Sequence, residues 1–201
     1  MSRRSGTYIW VVGPDGCGKS TISSKLAHET GALQRYWRPG ILPMAGQLVG
    51  RAADDDVNTE PHSVTRNGHA RQLARLIYYF ADYLLGYWLV FRPALRRGQH
   101  VIVDRGWHDM AVDWRRYQLR GPDGARRLGR LVREPDLLIV VTVPPEVAVK
   151  RKRELPVAEV ARQYDEWSRL RLRHGRLVEL DNSGPIRDTL ATAAKLVHGG
   201  A

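Results

Sequence analysis

Short apolar runs alternate with segments of helical periodicity along most of the chain. The apolar runs predict buried β-strands at 8–12, 33–37, 101–104, 137–143 and 177–180. Between them, apolar side chains recur at helical spacing, which predicts helices at 21–30, 67–97, 125–132, 144–153, 157–174 and 186–197. Strands and helices that alternate in this way predict an α/β fold, with a parallel sheet covered by helices on both faces. Residues 41–66 are predicted to form an irregular segment over the site.

The predicted helix at 67–97 carries a stripe of tyrosines. Tyr79, Tyr83 and Tyr87 recur every four residues on one face, and Asp82 lies beside them. A stripe of this kind either packs into the core or lines a ligand pocket, because these hydroxyls and the carboxylate are more polar than packing requires. Both interpretations stay open from the sequence, and the second makes Tyr79, Asp82 and Tyr83 substrate-binding residues.

The strand at 8–12 leads directly into the sequence GPDGCGKST at 13–21. This stretch fits the phosphate-loop pattern G-x-x-x-x-G-K-[ST], with the required strand before it and helix after it, and it predicts a P-loop NTPase fold. Glycines in such a loop let backbone N–H groups face a phosphate, while the lysine reaches the outer phosphates and the following hydroxyl can bind Mg²⁺. The sequence therefore predicts an ATP site formed by Gly13, Asp15, Gly16, Gly18, Lys19, Ser20 and Thr21.

A second polar group ends the predicted strand at 101–104. Asp104 is the last residue of this strand, and Arg105 follows it directly. Because ligands of open α/β sheets bind at the carboxyl ends of the strands, both side chains are expected at the site. Asp104 can join Ser20 in holding Mg²⁺ or can orient the phosphoryl acceptor, and Arg105 can bind a phosphate.

The helices at 144–153 and 157–174 are separated by a short break at Glu154-Leu155-Pro156. Both helices are rich in arginine, and such a pair with a basic hinge is typical of a lid, which we expect at about 150–165. The alternative is a charged face that only contacts solvent.

Length and composition narrow the class of protein. A chain of 201 residues is enough for one domain, 1–201, with a full core. Its single cysteine, Cys17, cannot form an internal disulfide, which favours a reducing cytoplasmic location. The net charge of +11 favours a partner with phosphates, although an arginine-rich proteome gives the same excess. The apolar stretch 76–91 contains Asp82 and is shorter than the ~20 residues of a membrane span, so no membrane association is predicted.

Several motifs together resemble the thymidylate kinase family. They are the phosphate loop with Asp15, the pair Arg38-Pro39, the sequence RPALRRG at 92–98 and the sequence VIVDR at 101–105. The resemblance covers most of the chain. It implies a five-stranded parallel sheet, Mg-ATP as the phosphate donor, and transfer of the γ-phosphoryl group to a nucleoside monophosphate.

The resemblance also implies roles for individual residues. Asp15 resembles the carboxylate that meets the sugar hydroxyl of the acceptor, and Arg38 resembles the arginine that holds the acceptor phosphate. Asp104 and Arg105 resemble the Asp-Arg pair of the family. Gly16 stands where some members have a loop arginine, so the arginine that stabilises the transferred phosphoryl group is expected from the lid. The candidates are Arg151, Arg153 and Arg162.

The sequence departs from the family pattern around the acceptor. The arginine and glutamine that read thymine fall at Tyr83 and Leu85, and the aromatic residue expected after the Asp-Arg pair is Gly106. Asp109 stands in place of a small hydroxyl residue and is expected to add a hydrogen-bond acceptor facing the substrate. A site without donors for the base binds thymine poorly. We therefore expect a nucleoside monophosphate as acceptor, with thymidylate a poor one.

Other classes of function remain as alternatives. One is a kinase of a different small metabolite, such as a nucleoside or a sugar. A non-catalytic nucleotide-binding protein needs no group for an acceptor phosphate, so Arg38, Asp104 and Arg105 argue against it. A kinase of nucleic-acid ends is supported only by the net charge of +11, and no arginine–aromatic alternation indicates nucleic-acid binding. A small-molecule acceptor is thus the expected partner, and a homodimer is left open.

Overall fold

Five parallel strands form one sheet at the centre of the protein. The computed structural model describes residues 5–43 and 69–199. Within these ranges the strands lie in the order β2-β3-β1-β4-β5. Their bounds are β1 Tyr8–Val12, β2 Leu33–Tyr36, β3 Val101–Asp104, β4 Leu137–Thr142 and β5 Arg176–Asp181. The predicted five-stranded parallel α/β sheet is confirmed.

Helices connect the strands in the described ranges. They are α1 Lys19–Thr30, α2 His69–Gly86, α3 Arg92–Arg96, α4 Asp109–Val112, α5 Asp123–Gly129, α6 Pro145–Arg151, α7 Val157–Arg169 and α8 Ile186–His198. The sequence pattern did not predict α4, which is a single turn. Most of the predicted irregular segment 41–66 lies outside the described residues. No helix of the described ranges combines the length and the apolar character needed to cross a bilayer.

The sheet has an apolar core on each face. Tyr8, Trp10 and Val12 of β1 pack on one side together with apolar residues of α2, α3 and α4. Ile9 and Val11 point to the other side and pack with α1 and α8. Because alternate residues of a strand face opposite sides, the continuous apolar run of β1 serves both cores.

The long helix predicted at 67–97 is interrupted by one wide turn. After α2, residues Tyr87–Phe91 form a π-helical turn in which the Arg92 N–H donates to the Tyr87 carbonyl, and α3 follows. Pro93 provides a physical reason, because it has no N–H to donate and its ring clashes with the carbonyl four residues earlier. Gly98, with φ 85°, follows the end of α3.

Candidate functional site

The phosphate loop joins β1 to α1 in a conformation that requires glycine. Gly13, Gly16 and Gly18 have φ values of 142°, 84° and 94°, which side chains rarely adopt. A Cβ atom at Gly16 would lie 2.1 Å from the Ala148 carbonyl oxygen of α6. The loop backbone therefore packs directly on the first helix of the predicted lid.

Asn182 holds the phosphate loop through a side-chain hydrogen bond. It follows β5, is 5% exposed, and donates from Nδ2 to the Cys17 carbonyl at 2.8 Å. Cys17 itself is fully buried, and burial raises the pKa of its thiol, as suits a small packing residue. The sequence analysis did not identify Asn182, because its contact with the loop lies 165 residues away along the chain.

Asp15 lies at the centre of a cluster of cations. Lys19 Nζ is 3.0 Å from Asp15 Oδ1, Arg116 Nη1 is 2.6 Å from Oδ2, and Arg105 pairs with Oδ1. Lys152 from the segment between α6 and α7 approaches to 4.0 Å. Burial alone would raise the pKa of Asp15, but the four cations outweigh it and hold the pKa well below its usual range. The cluster gathers positive charge of the kind that binds phosphates.

Asp104 and Ser20 form an oxygen-rich corner beside the loop. Val11 pairs with Asp104 in the sheet, so the end of β3 lies level with the start of the loop. Asp104 is 2% exposed and hydrogen-bonds to Ser20, while its Oδ1 has no partner among the described residues. Burial raises the pKa of Asp104 although Ser20, Lys19 and Arg105 oppose the shift.

This corner fits Mg²⁺. Mg²⁺ prefers oxygen ligands and is usually held by one or two protein groups together with water and substrate phosphates. A buried carboxylate oxygen without a partner and a neighbouring hydroxyl are such groups. Within the described residues no set of three or more His, Cys, Asp or Glu side chains could hold an ion by itself.

Asp109 and Tyr117 hold Arg105 in place. Arg105 Nη1 is 3.1 Å from Asp109 Oδ2, and the Tyr117 hydroxyl donates to the same oxygen at 2.7 Å. Asp109 is 2% exposed, and burial raises the pKa of the Tyr117 hydroxyl. Asp109 thus orients an arginine of the site. The predicted contact between Asp109 and the acceptor stays a prediction.

Asp82 fixes the segment after β2 through both oxygens of its carboxylate. Its Oδ2 accepts hydrogen bonds from Arg38 Nη1 and the Gly40 N–H, each at 3.0 Å, and its Oδ1 accepts one from the Leu42 N–H at 2.7 Å. The side chain is fully buried and both oxygens are bonded within the described residues, so the predicted contact of Asp82 with a substrate stays a prediction. Its role is to position Arg38, which is 6% exposed.

The tyrosine stripe of α2 belongs to the core. Tyr83 is 2% exposed, donates its hydroxyl to the Trp37 carbonyl, and packs edge-on against Trp107 at 5.2 Å between ring centroids. Tyr79 is 6% exposed and packs edge-on against Trp37 at 4.7 Å. Tyr79 and Tyr83 therefore pack in the core, and their prediction as substrate-binding residues stays a prediction.

The arginines predicted for the lid lie in different surroundings. Arg162 Nη2 is 2.6 Å from Glu159 Oε1 and 2.7 Å from the Val112 carbonyl, so it ties α7 to α4. Arg151 is exposed, with Nη2 3.5 Å from the Asn182 carbonyl, and Arg153 is exposed. The lid cation that approaches Asp15 is Lys152, which the sequence did not single out.

Arg116 is the other functional candidate that the sequence did not identify. It lies in the turn after α4, where the chain has no periodicity that indicates an element. Its partner Asp15 is 101 residues away along the chain. Nothing in the local sequence distinguishes Arg116 from Arg115, which is about half exposed and pairs with Glu159.

Because His108 is buried, we expect the stability of the protein to depend on pH. Burial lowers the pKa of His108 to about 4, and its Nε2 has no partner among the described residues. The unfolded chain, with a histidine pKa of about 6.5, binds more protons than the folded protein between these values. The free energy of unfolding therefore falls as the pH drops from about 6.5 to about 4, by up to about 3 kcal/mol.

Urea unfolding at pH 7 and pH 4.5 measures this effect. In the variant His108→Gln the loss between the two pH values should shrink by about 2 to 3 kcal/mol, since glutamine does not titrate. His28→Gln is the matched control, because His28 is exposed on α1. An unchanged pH dependence in His108→Gln would contradict the assignment.

Comparison with known proteins agrees with this geometry. The thymidylate kinase family model matches residues 11–191. The chain belongs to the thymidylate kinase family. This membership identifies the protein as an ATP-dependent kinase, a transferase that binds a nucleotide. No curated protein sequence matches it significantly.

Two solved structures illustrate the likeness. Thymidylate kinase from Candida albicans superposes with a TM-score of 0.67 at 18% identity, over 97% of this chain and 92% of that one. Thymidylate kinase from Ehrlichia chaffeensis gives a TM-score of 0.62 at 17% identity, over 96% and 99%. At these identities the likeness shows the shared fold.

Proposed function

We propose that this kinase transfers the γ-phosphoryl group of Mg-ATP to the phosphate of a nucleoside monophosphate. The observation that carries the proposal is the meeting of donor and acceptor residues on Asp15. Lys19 of the phosphate loop and Arg105 at the end of β3 both pair with this buried carboxylate. Residues for both substrates thus contact the same carboxylate. Phosphoryl transfer that is catalysed by positioning the substrates requires residues for both of them to lie this close together.

The residues around Asp15 divide the work. Lys19 binds the outer phosphates of ATP, and Ser20 and Asp104 hold Mg²⁺, which supplies charge neutralisation at the β- and γ-phosphates. Arg38, kept in place by Asp82, holds the acceptor phosphate. The acceptor oxygen needs no general base, because a phosphate monoester with a second pKa of about 6 is already ionised near neutral pH.

A panel of acceptors tests the proposal. The protein is incubated with ATP, MgCl₂ and, in turn, nucleoside monophosphates, nucleosides and hexoses, and the products are identified by mass spectrometry. We expect ADP and a nucleoside diphosphate in equal amounts. ADP together with a phosphorylated nucleoside or sugar, and no diphosphate formed from the monophosphates, would support the second candidate, a metabolite kinase. No ADP above the level of a Lys19→Ala variant would contradict both.

Thymidylate is expected to be a poor acceptor. Tyr83, at a position where the family reads thymine, is core, and Leu85 is an exposed apolar residue. Gly106 cannot be aromatic, because a Cβ atom there would lie 2.1 Å from the Trp10 ring. Loss of paired polar contacts predicts a kcat/KM for thymidylate at least about 10²-fold below that of the best acceptor. Steady-state kinetics with thymidylate at about 1–100 s⁻¹ would contradict this.

We propose a small-molecule acceptor and a second copy of the chain as partners. We do not propose a nucleic-acid partner. Exposed apolar side chains recur along α2 and the following turn at Leu73, Ile77, Leu85, Trp88 and Leu89. A stripe of this kind marks a protein–protein contact, and a two-fold axis would bury it from both copies.

We further propose that residues 1–201 form one kinase domain and that the segment at 150–165 acts as its lid, with Lys152 facing Asp15.

A further inference from the structure

The phosphate loop of this protein has no room for an arginine. The φ of Gly16 is 84°, and a Cβ atom there would lie 2.1 Å from the carbonyl oxygen of Ala148 and 2.8 Å from its carbonyl carbon. Both contacts are to backbone, so a side chain at this position cannot be relieved by a rotamer change. If an arginine stabilises the transferred phosphoryl group, it comes from another element.

The lid arginines do not approach the loop carboxylate. Arg162 is held by Glu159 and by the Val112 carbonyl. Arg151 and Arg153 are exposed, and within the described residues neither forms an ion pair with Asp15. Two arginines do reach the loop carboxylate: Arg105, which Asp109 also holds, and Arg116, from the turn between α4 and α5.

Arg116 is buried against the residue that precedes Gly16. Its Nη1 is 2.6 Å from Asp15 Oδ2, while Lys19 Nζ is 3.0 Å from Oδ1, and the Arg116 side chain is 5% exposed. The guanidinium and the lysine that reaches the outer phosphates therefore flank one carboxylate. The turn that carries Arg116 is closed by backbone hydrogen bonds from Arg116 to Asp113 and from Gln118 to Arg115, at 3.0 and 2.9 Å.

Arg116 shares its counter-ion with two other cations. Asp15 pairs with Lys19 and Arg105 as well as with Arg116. Arg116 Nη1 also lies 3.9 Å from Glu154, which is about a third exposed. Three cations around one buried carboxylate form an arrangement that suits a further anion such as a phosphate.

We propose that Arg116 is a catalytic residue that binds the transferred phosphoryl group, in place of an arginine in the phosphate loop. This inference rests on the proposed function. As the acceptor phosphate oxygen forms its bond to the γ-phosphorus, the bond from that phosphorus to the bridging oxygen breaks, and ADP leaves with the electron pair. Arg116 donates hydrogen bonds to the equatorial oxygens, where charge is spread in the transition state.

Kinetics of matched variants test the proposal. ADP release from Mg-ATP is measured with the best acceptor of the panel and with water alone, in wild type, Arg116→Ala and Arg115→Ala. Arg115 is the control because it is adjacent, is about half exposed, and pairs with Glu159 instead of Asp15. We expect Arg116→Ala to lower kcat at least about 10²-fold while the Kd for Mg-ATP changes less than about threefold. Arg115→Ala should stay within about twofold of wild type.

Two further measurements separate catalysis from folding. Millimolar guanidinium should restore part of the kcat of Arg116→Ala and none of that of Lys19→Ala. Arg116→Lys keeps a charge against Asp15, and we expect it to fold yet remain at least about tenfold slow, because an ammonium does not present a planar fork. A kcat of Arg116→Ala within tenfold of wild type, or full activity of Arg116→Lys, would overturn the proposal.

The controls distinguish failure of this inference from failure of the proposed function. If wild type and Lys19→Ala release ADP at the same rate, the kinase assignment of the site fails. If Lys19→Ala is inactive but Arg116→Ala behaves like Arg115→Ala, only the role of Arg116 fails.

Discussion

Lys19→Ala should lower kcat for phosphoryl transfer by at least about 10³-fold, which corresponds to about 4 kcal/mol of transition-state stabilisation. The physical reason is the position of Lys19, which is 4% exposed with Nζ held by Asp15 Oδ1 and the Pro14 carbonyl. A charge in such a buried, low-dielectric environment acts on phosphate oxygens far more strongly than it would in water. The measurement is ADP release under saturating Mg-ATP and acceptor.

The variant should remain folded. Asp15 keeps Arg105 and Arg116 as partners when Lys19 is removed, so no buried carboxylate is left unpaired. Lys25→Ala is the matched control, because Lys25 is exposed on the same helix α1. Circular dichroism and a thermal melt confirm folding for both. Wild-type turnover in folded Lys19→Ala would refute the phosphate-loop assignment.

Gly16→Ala is expected to destabilise the protein by about 3 kcal/mol or more and to abolish nucleotide binding. Two costs add, because the backbone is left-handed and the new Cβ meets the Ala148 carbonyl at 2.1 Å. Strain of this kind costs of order 1–3 kcal/mol, and overpacking costs a similar amount. Urea unfolding and titration with a fluorescent ATP analogue measure the two effects.

The variant Gly31→Ala separates the free-energy cost of backbone strain from the cost of a steric clash. Gly31 ends α1 with φ 65° and has nothing within 4 Å of an added Cβ. Only the conformational cost applies there, so we expect about 1 kcal/mol and unchanged nucleotide binding. Equal destabilisation by the two variants would show that α6 yields to the loop and that the close packing is not a constraint.

The sequence predicted the elements and roles that depend on residues close together along the chain. The strand, glycine loop and helix at 8–30 follow one another directly, and their roles require no distant partner. The roles of Asp82, Arg116 and Asn182 depend on contacts 40 to 165 residues away, which no periodicity encodes. Core packing of Tyr83 was one of two readings that the helix pattern allowed, and its Trp37 and Trp107 contacts decided between them.

One of the candidate arginines had a contrary signal in the sequence. Glu159 lies three residues before Arg162 on the same helix, and such a pair is expected to bond, so Arg162 was a weak candidate for the transferred phosphoryl group.

The hydrogen bond from Asn182 to Cys17 has a consequence for synthesis of the protein. The two residues are separated by 165 positions, so the phosphate loop lacks this support until Asn182 has been translated. At roughly 5–20 residues per second, about 8 to 33 s pass between the two events. During this interval the nascent chain carries the complete loop sequence without the strand β5 and the asparagine that hold it. A ribosome-bound chain that ends before Asn182 should therefore fail to bind ATP, and competence for nucleotide appears only when nearly the whole chain has been made.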